Sequence, residues 1–366
     1  MSTAVAPPEG NTARRALTAV LAAAVLANAL AGMAWAEEKP FVAPSVEARD
    51  DRSLPSTDGT AADALPPKEP ASDRTFSFLP SCAESSQSSP LTATLCRPEL
   101  WAALLSAGVV GGAALNSFTD DPTGEFQLAH EGWFGEHTYV GGGDKASHFV
   151  SFEIIARELA TIYQHLGIAP TPARLTGFGV SLLAGAVIEV ADGTNKYGFS
   201  WEDLLMDALG AGTAAVVDVT GTRDLIGFRF GWVPGSVPRK AVDGIGRDYS
   251  HEIYTADLKL ADLARRLDIP IGPARFLLAS VTYGVKGYPY AEPDRRQRQL
   301  GFEIGLNFEE ILDAVEVPRD TWWGIATHVV MDNFRIPYTA GGWRYDYNHH
   351  EWRGPDSGDS CGTCRP

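Results

Sequence analysis

The period of the sequence changes near Gly221. Before it, apolar residues fall into blocks with helical spacing, dense in small residues: Gly108, Gly111 and Gly112, then Gly177, Gly179, Ala184 and Gly185, then Gly210 and Gly212. Three of these blocks are apolar on nearly every face, and a helix of that kind is buried in protein or in lipid. Small residues there let helix backbones approach closely. Beyond Gly221 the period becomes two: Leu300, Phe302, Ile304, Leu306 and Phe308 alternate with Gly301, Glu303, Gly305 and Asn307. That alternation predicts strands with the apolar face buried.

Local signals place the elements. Helices are expected over 98–117, 143–166, 172–191 and 200–219, with Pro98 in a first turn, Gly167 and Pro170 as stops, and Ser200 as N-cap ahead of Glu202 and Asp203. Strands are expected over 253–260, 276–285, 300–308 and 334–347, with short helices over 261–267, 308–315 and 321–331. The fold class is therefore α+β: a small-residue-rich bundle of about four helices, then an antiparallel β-rich module with short helices. A transmembrane barrel takes at least about eight strands, and four or five are read here, so closure by this chain alone is not expected. The helical runs are short for spans of about 20 apolar residues, and they carry Glu189, Asp203, Asp207 and Asp218. A tight bundle, soluble or seated shallowly on a membrane, is expected, with true spanning as the alternative.

The first 36 residues carry an address. Arg14 and Arg15 precede an apolar run from Ala16 to Met33, closed by Ala34-Trp35-Ala36 and the acidic Glu37 and Glu38. This is the pattern of a cleaved signal peptide; the alternative is an uncleaved inner-membrane anchor. No cysteine lies near the site, so lipoprotein processing is not expected. Residues 37–97 read as a Pro/Ser/acidic tether, 98–221 as the helical domain, 222–348 as the β-rich module and 349–366 as a flexible tail. Four cysteines suit an oxidising compartment. Cys82 and Cys96 could close a small loop, and Cys361 and Cys364, with no helix following them, read as a local disulfide or tail staple rather than a redox pair. The net charge of −16 repels phosphate backbones, which argues against nucleic acid as a partner.

Chemistry concentrates between 126 and 212. Gly141-Gly142-Gly143 forces a loop, after which Asp144 can cap or open a helix, and Asp144 and His148 lie four apart on one helical face. Such a carboxylate can orient an imidazole or help it hold a metal. Glu189 stands in an apolar run with Asp192 three residues on, and Asp203 and Asp207 form a second single-face pair. Ionised groups in an apolar bundle must pair, bind a cation or be protonated. Asp144, His148, Glu189 and Asp192 are thus candidate catalytic residues, and His148, Asp203 and Asp207 candidate ligands of a divalent metal. Lys145, Glu131 and Ser200 are accessory, Lys145 as a neutraliser of Glu189 or Asp192. Simpler roles compete: Asp144 as a cap, Asp203 as a first-turn acid, His148 as a core histidine. No GxSxG, phosphate-binding loop or dinucleotide fingerprint is present.

Glu131-Gly132-Trp133-Phe134-Gly135, Thr138 through Gly143 into Asp144-Lys145-x-x-His148, Glu189-x-x-Asp192-Gly193, Tyr197-Gly198-Phe199-Ser200 and Asp203-x-x-x-Asp207-x-x-Gly210 together resemble the YfiM-like family of periplasmic or lipoprotein-like bacterial proteins. More distantly, Asp144-Lys145-x-x-His148 with Glu189 and Ser200-x-x-Asp203 resembles the VanZ-like membrane proteins, which often carry Asn where Asp207 stands. The resemblance implies an envelope address and the positions of a site, and no reaction. The chain is expected to be periplasmic or outer-membrane-associated, binding or acting on an envelope lipid or glycan intermediate. The alternative is a non-catalytic scaffold for a membrane-protein partner.

Overall fold

A computed structural model describes residues 97–118, 123–232, 249–288, 293–319 and 321–354. The leader, the tether and all four cysteines lie outside the described residues. Four long helices come first: α1 (Pro98–Phe118), α2 (Gly143–His165), α3 (Pro170–Asp192) and α4 (Trp201–Val219). Then follow β1 (Ile226–Trp232), β2 (Glu252–Lys259), α5 (Leu260–Leu267), β3 (Leu277–Lys286), β4 (Gln297–Leu306), α6 (Phe308–Ala314), α7 (Trp322–Asn333), β5 (Phe334–Arg335), β6 (Ala340–Asp346) and β7 (Glu351–Arg353). The α+β architecture is that read from the sequence.

Small residues set the helix spacing. At Gly210 of α4 an added Cβ would run into the carbonyl oxygen of Phe149 on α2, and at Gly177 of α3 it would lie 2.7 Å from the carbonyl oxygen of Ala156. These glycines are there for close approach, as the sequence suggested. Gly210→Ala is accordingly expected to push α4 from α2 and lower stability by about 1–3 kcal/mol, as overpacking does, measurable by thermal unfolding. α1 and α3 are each long and apolar enough to cross a membrane by length and composition. Leu104, Leu115, Leu175 and Leu183 are exposed along them.

The strands form one sheet, ordered β5-β1-β2-β3-β4-β6-β7. It departs from expectation in four ways. The 334–347 segment is two strands, β5 and β6, because the chain turns after Ile336 at Pro337. β5 pairs in parallel with β1 while every other pair is antiparallel. Ile226–Trp232 and, within the expected tail, Glu351–Arg353 are additional strands; the three-residue β7 is too short to show a period.

The fourth departure is in polarity. The alternation along β4 is present but inverted: Gln297, Gln299, Gly301, Glu303 and Gly305 are buried, whereas Leu300, Phe302, Ile304 and Leu306 are exposed. The cause is an ion-pair network on the buried face. Arg335 donates to both carboxylate oxygens of Glu303 at 2.6 and 3.0 Å, Arg344 donates to Glu303 at 3.3 Å, and Arg229 donates to Asp257 at 2.5 and 3.1 Å. A Cβ at Gly301 would come within 2.5 Å of the Trp343 carbonyl oxygen and 2.6 Å of the Arg344 Cγ, so glycine there lets β6 and the stem of Arg344 lie close to β4. Once paired with good geometry, buried charges are held firmly to their own side.

The helices cover part of the apolar face. Ala146, Phe149 and Val150 of α2 pack against Phe228, Phe230, Tyr254 and Tyr283. A polar tie holds α2 to the far edge of the sheet: Arg157 donates to Asp332 at 2.6 Å and to Asn333 at 2.6 Å, and Lys259 pairs with Asp332 at 2.5 Å.

Candidate functional site

The site lies where α2, α3 and α4 converge. Gly141 and Gly142 both take positive φ (64° and 86°), and a side chain at Gly142 would collide with the Phe134 ring. Glycine is required there, and it makes Gly142 the N-cap of α2. Asp144 therefore sits in the first turn without capping. Ser200 does cap α4: its hydroxyl accepts from the Asp203 amide at 3.2 Å, while its own amide donates to Glu189 at 3.0 Å. One residue thus ties α3 to the start of α4.

Lys145 occupies the centre of one group of acids, lying 2.6 Å from Glu131, 2.8 Å from Asp144 and 2.7 Å from Asp203. Its partners are these three, and Glu189 and Asp192 are not among them. Glu131, Asp144 and Asp203 would otherwise have the spacing of cation ligands, but the ammonium supplies that cation. Burial, then repulsion from Asp203, pushes the Glu131 carboxyl up to about 9. Asp203 moves the other way: burial opposes its charge, but His148 and Lys145 outweigh burial and lower its pKa. The two adjacent acids are thus shifted in opposite directions around one ammonium.

The second group is different. His148 Nδ1 donates to Asp207 at 2.7 Å, and the imidazole lies parallel to the Phe152 ring at 6.2 Å between centroids. Nε2 is left 3.9 Å from Asp203. His148, Glu189 and Asp203 offer ligand atoms within 4.8 Å of one another. The orienting carboxylate is Asp207 and not Asp144, which belongs to the Lys145 cluster; α4 packs against α2 closely enough to bring Asp207 under the ring. Asp207 itself is fully buried, and its second oxygen sits over Gly185, where a Cβ would displace it. Asp192, expected to join this group, instead accepts from the Asn195 side chain at 2.8 Å in the turn after α3. Asp192 is the last residue of α3, and its carboxylate serves the turn that follows rather than the imidazole.

Burial alone would lower the pKa of His148, but Asp207 and then Asp203 outweigh it and raise it well above the ordinary imidazole value. Glu189 is pushed up to about 8 by burial, which His148 offsets only in part. The side chain of His148 is 21% exposed whereas Asp207 is wholly covered, so the ring is the group that meets solvent. Trp133 and Trp201, edge to face at 5.4 Å, stand exposed beside the acids. Asp207→Asn would turn the orienting acceptor into an amide; were a cation held by His148, its affinity would be expected to drop roughly 10–100-fold by titration, as for outer-shell partners of histidine ligands.

Sequence reasoning missed the Arg157–Asp332–Lys259 tie, since its members lie on elements far apart in sequence, and it missed the Trp133–Trp201 pair. Residues 130–219 match a family described as Predicted periplasmic lipoprotein (DUF2279). No curated protein and no solved structure gives a significant match. The matched segment contains both clusters, and its description agrees with an exported protein that is periplasmic or outer-membrane-associated. The YfiM-like and VanZ-like likenesses are narrower than this match and stay resemblances.

Proposed function

We propose that this exported envelope protein holds a divalent cation between His148, Glu189 and Asp203, and uses it to engage the polar head of an envelope lipid or glycan intermediate. The observation that carries this reading is the Asp207–His148 hydrogen bond, which engages Nδ1 and leaves Nε2 3.9 Å from Asp203, with Glu189 in the same cluster of ligand atoms. A carboxylate on the rear nitrogen of a ligating imidazole is the usual way to set its tautomer and basicity. One imidazole and two carboxylates suit zinc or manganese. A cation there would polarise a bound phosphate or water; Asp207 would orient, and Glu131 with Lys145 would balance charge. A groove of about 480 Å³ lined by Phe134, Phe149, Val150, Met206, Tyr254 and Leu300 opens on other faces of α2 and α4, and its apolar lining supports a hydrocarbon-bearing ligand.

Protein purified without chelators is expected to retain about one divalent ion per chain by elemental analysis; metal-free protein that takes up none on reloading would remove the cation from the account. A scaffold reading has one observation in its favour. Lys145 is fully buried and paired with three acids, an arrangement that fixes helix register without any ligand. Under that reading His148→Ala unfolds the protein and costs no ligand.

A further inference from the structure

The exposed side of the sheet carries its own chemistry. On β3, β4 and β6 the side chains opposite the ion pairs are Val281, Leu300, Phe302, Ile304, Leu306 and Trp343, all exposed; Phe302 is 50% and Trp343 57% accessible. Along β4 from Leu300 to Leu306 this side bears no charged residue. Tyr345, Tyr347 and Trp352 gather where β6 turns into β7, Tyr345 meeting Tyr347 and Trp352 edge-on at 5.1 and 5.4 Å between centroids. Isolated exposed apolar residues are ordinary, but a contiguous face of this kind marks an interaction surface.

We propose that this face lies against the hydrocarbon of a lipid bilayer. Three observations choose lipid over a protein partner. Polar-inside, apolar-outside alternation is the pattern of strands whose solvent is hydrocarbon. β4 has ten residues, in the range of about 9–11 with which a tilted strand crosses the hydrocarbon core, while the end of β3 at Tyr283 lies under α2. Aromatic rings collect toward one end of the strands, as they do at a membrane interface. The buried face cannot exchange places with the apolar one, because that would strip Glu303 and Asp257 of their guanidinium partners. The chain's charge of −16 leaves little attraction for anionic headgroups, so apolar contact is the source of affinity and salt has little influence on it.

The test is flotation of the full chain with vesicles of phosphatidylethanolamine and phosphatidylcholine, comparing wild type with Ile304→Glu and Trp343→Glu. Both side chains are exposed, so circular dichroism is expected to show the fold intact. Wild type is expected to float at low and high salt alike. Each carboxylate is expected to cut the bound fraction at least about tenfold, as a charge on a lipid-facing strand does. Vesicles carrying brominated acyl chains are expected to quench tryptophan fluorescence in wild type, and less so in Trp343→Phe. Flotation unchanged by both glutamates would overturn the proposal. So would a concentration-dependent dimer, seen by sedimentation without lipid and abolished by the same substitutions, because a second copy would then cover the face. Neither result bears on metal content, so this face and the cation site stand or fall separately.

Discussion

Arg157→Met is expected to lower the unfolding free energy by about 3–5 kcal/mol, as removal of one partner from a buried ion pair does. Arg157 is buried, and its guanidinium serves Asp332 at 2.6 Å, Asn333 at 2.6 Å and Glu153 at 3.1 Å. Methionine fills the stem but leaves Glu153 facing an apolar wall, and Glu153 is already held up to about 7 by burial that Arg157 only partly offsets. The substitution also cuts the bond from α2 to the end of α7, so helices and sheet are expected to lose cooperativity as well as stability. Urea unfolding followed by tryptophan fluorescence and by circular dichroism would show this as two separated transitions. Adding Asp332→Leu to Arg157→Met is not expected to restore the loss, because Glu153 and Lys259 then both lose the partner that balances them.

The same cluster sets an acid limit. Burial alone would raise the pKa of Asp332, but the Lys259 ammonium, and next the Arg157 guanidinium, hold the carboxyl well below the usual carboxylate range. The folded pKa lies below the unfolded value of about 3.9. The stabilisation is therefore complete above that value and is lost as pH falls below it. Asp332→Asn is expected to be less stable at neutral pH and to show a flatter fall of stability between about pH 4 and pH 2 than the wild type. A parallel fall in both proteins would place the acid sensitivity elsewhere.

His148→Ala is expected to weaken cation binding by at least about 100-fold, more than the loss of an outer-shell partner typically costs. The ring is not a major part of the core: it is 21% exposed and stacks on one face of Phe152. Its removal is expected to change the melting temperature of cation-free protein little, although Asp207 is left without its donor. Asparagine or glutamine at position 148 offers no equivalent of Nε2 at the same reach, so neither is expected to rescue binding. Retained affinity in His148→Ala would exclude the imidazole as a ligand.

Much of this was legible in the sequence, for physical reasons that differ by element. α2 and α4 carry their own punctuation, the glycine loop before Asp144 and the Ser200 cap, so their starts could be read locally. The site residues on α2, α3 and α4 stood out because acids and a histidine in apolar helices need an explanation. Their pairing did not, because helical spacing relates Asp144 to His148 while the fold gives His148 to Asp207, 59 positions away. Lys145 likewise chose Glu131, from the preceding loop, over Glu189. The period of β4 was read correctly and its polarity was not. Alternation says that two faces differ, and only the arginines arriving from β5 and β6 decide which face is inside.

Zinc titration of chelator-stripped protein, by calorimetry in two buffers of different ionisation heat, separates a cation site from a purely structural cluster of acids. The expected result is one saturable site per chain whose binding releases protons, because His148 and Glu189 must give theirs up to become ligands, and whose signal disappears in Glu189→Gln while the melting temperature of the stripped protein holds. Absence of saturable binding with both zinc and manganese, or equal binding by Glu189→Gln, would contradict it.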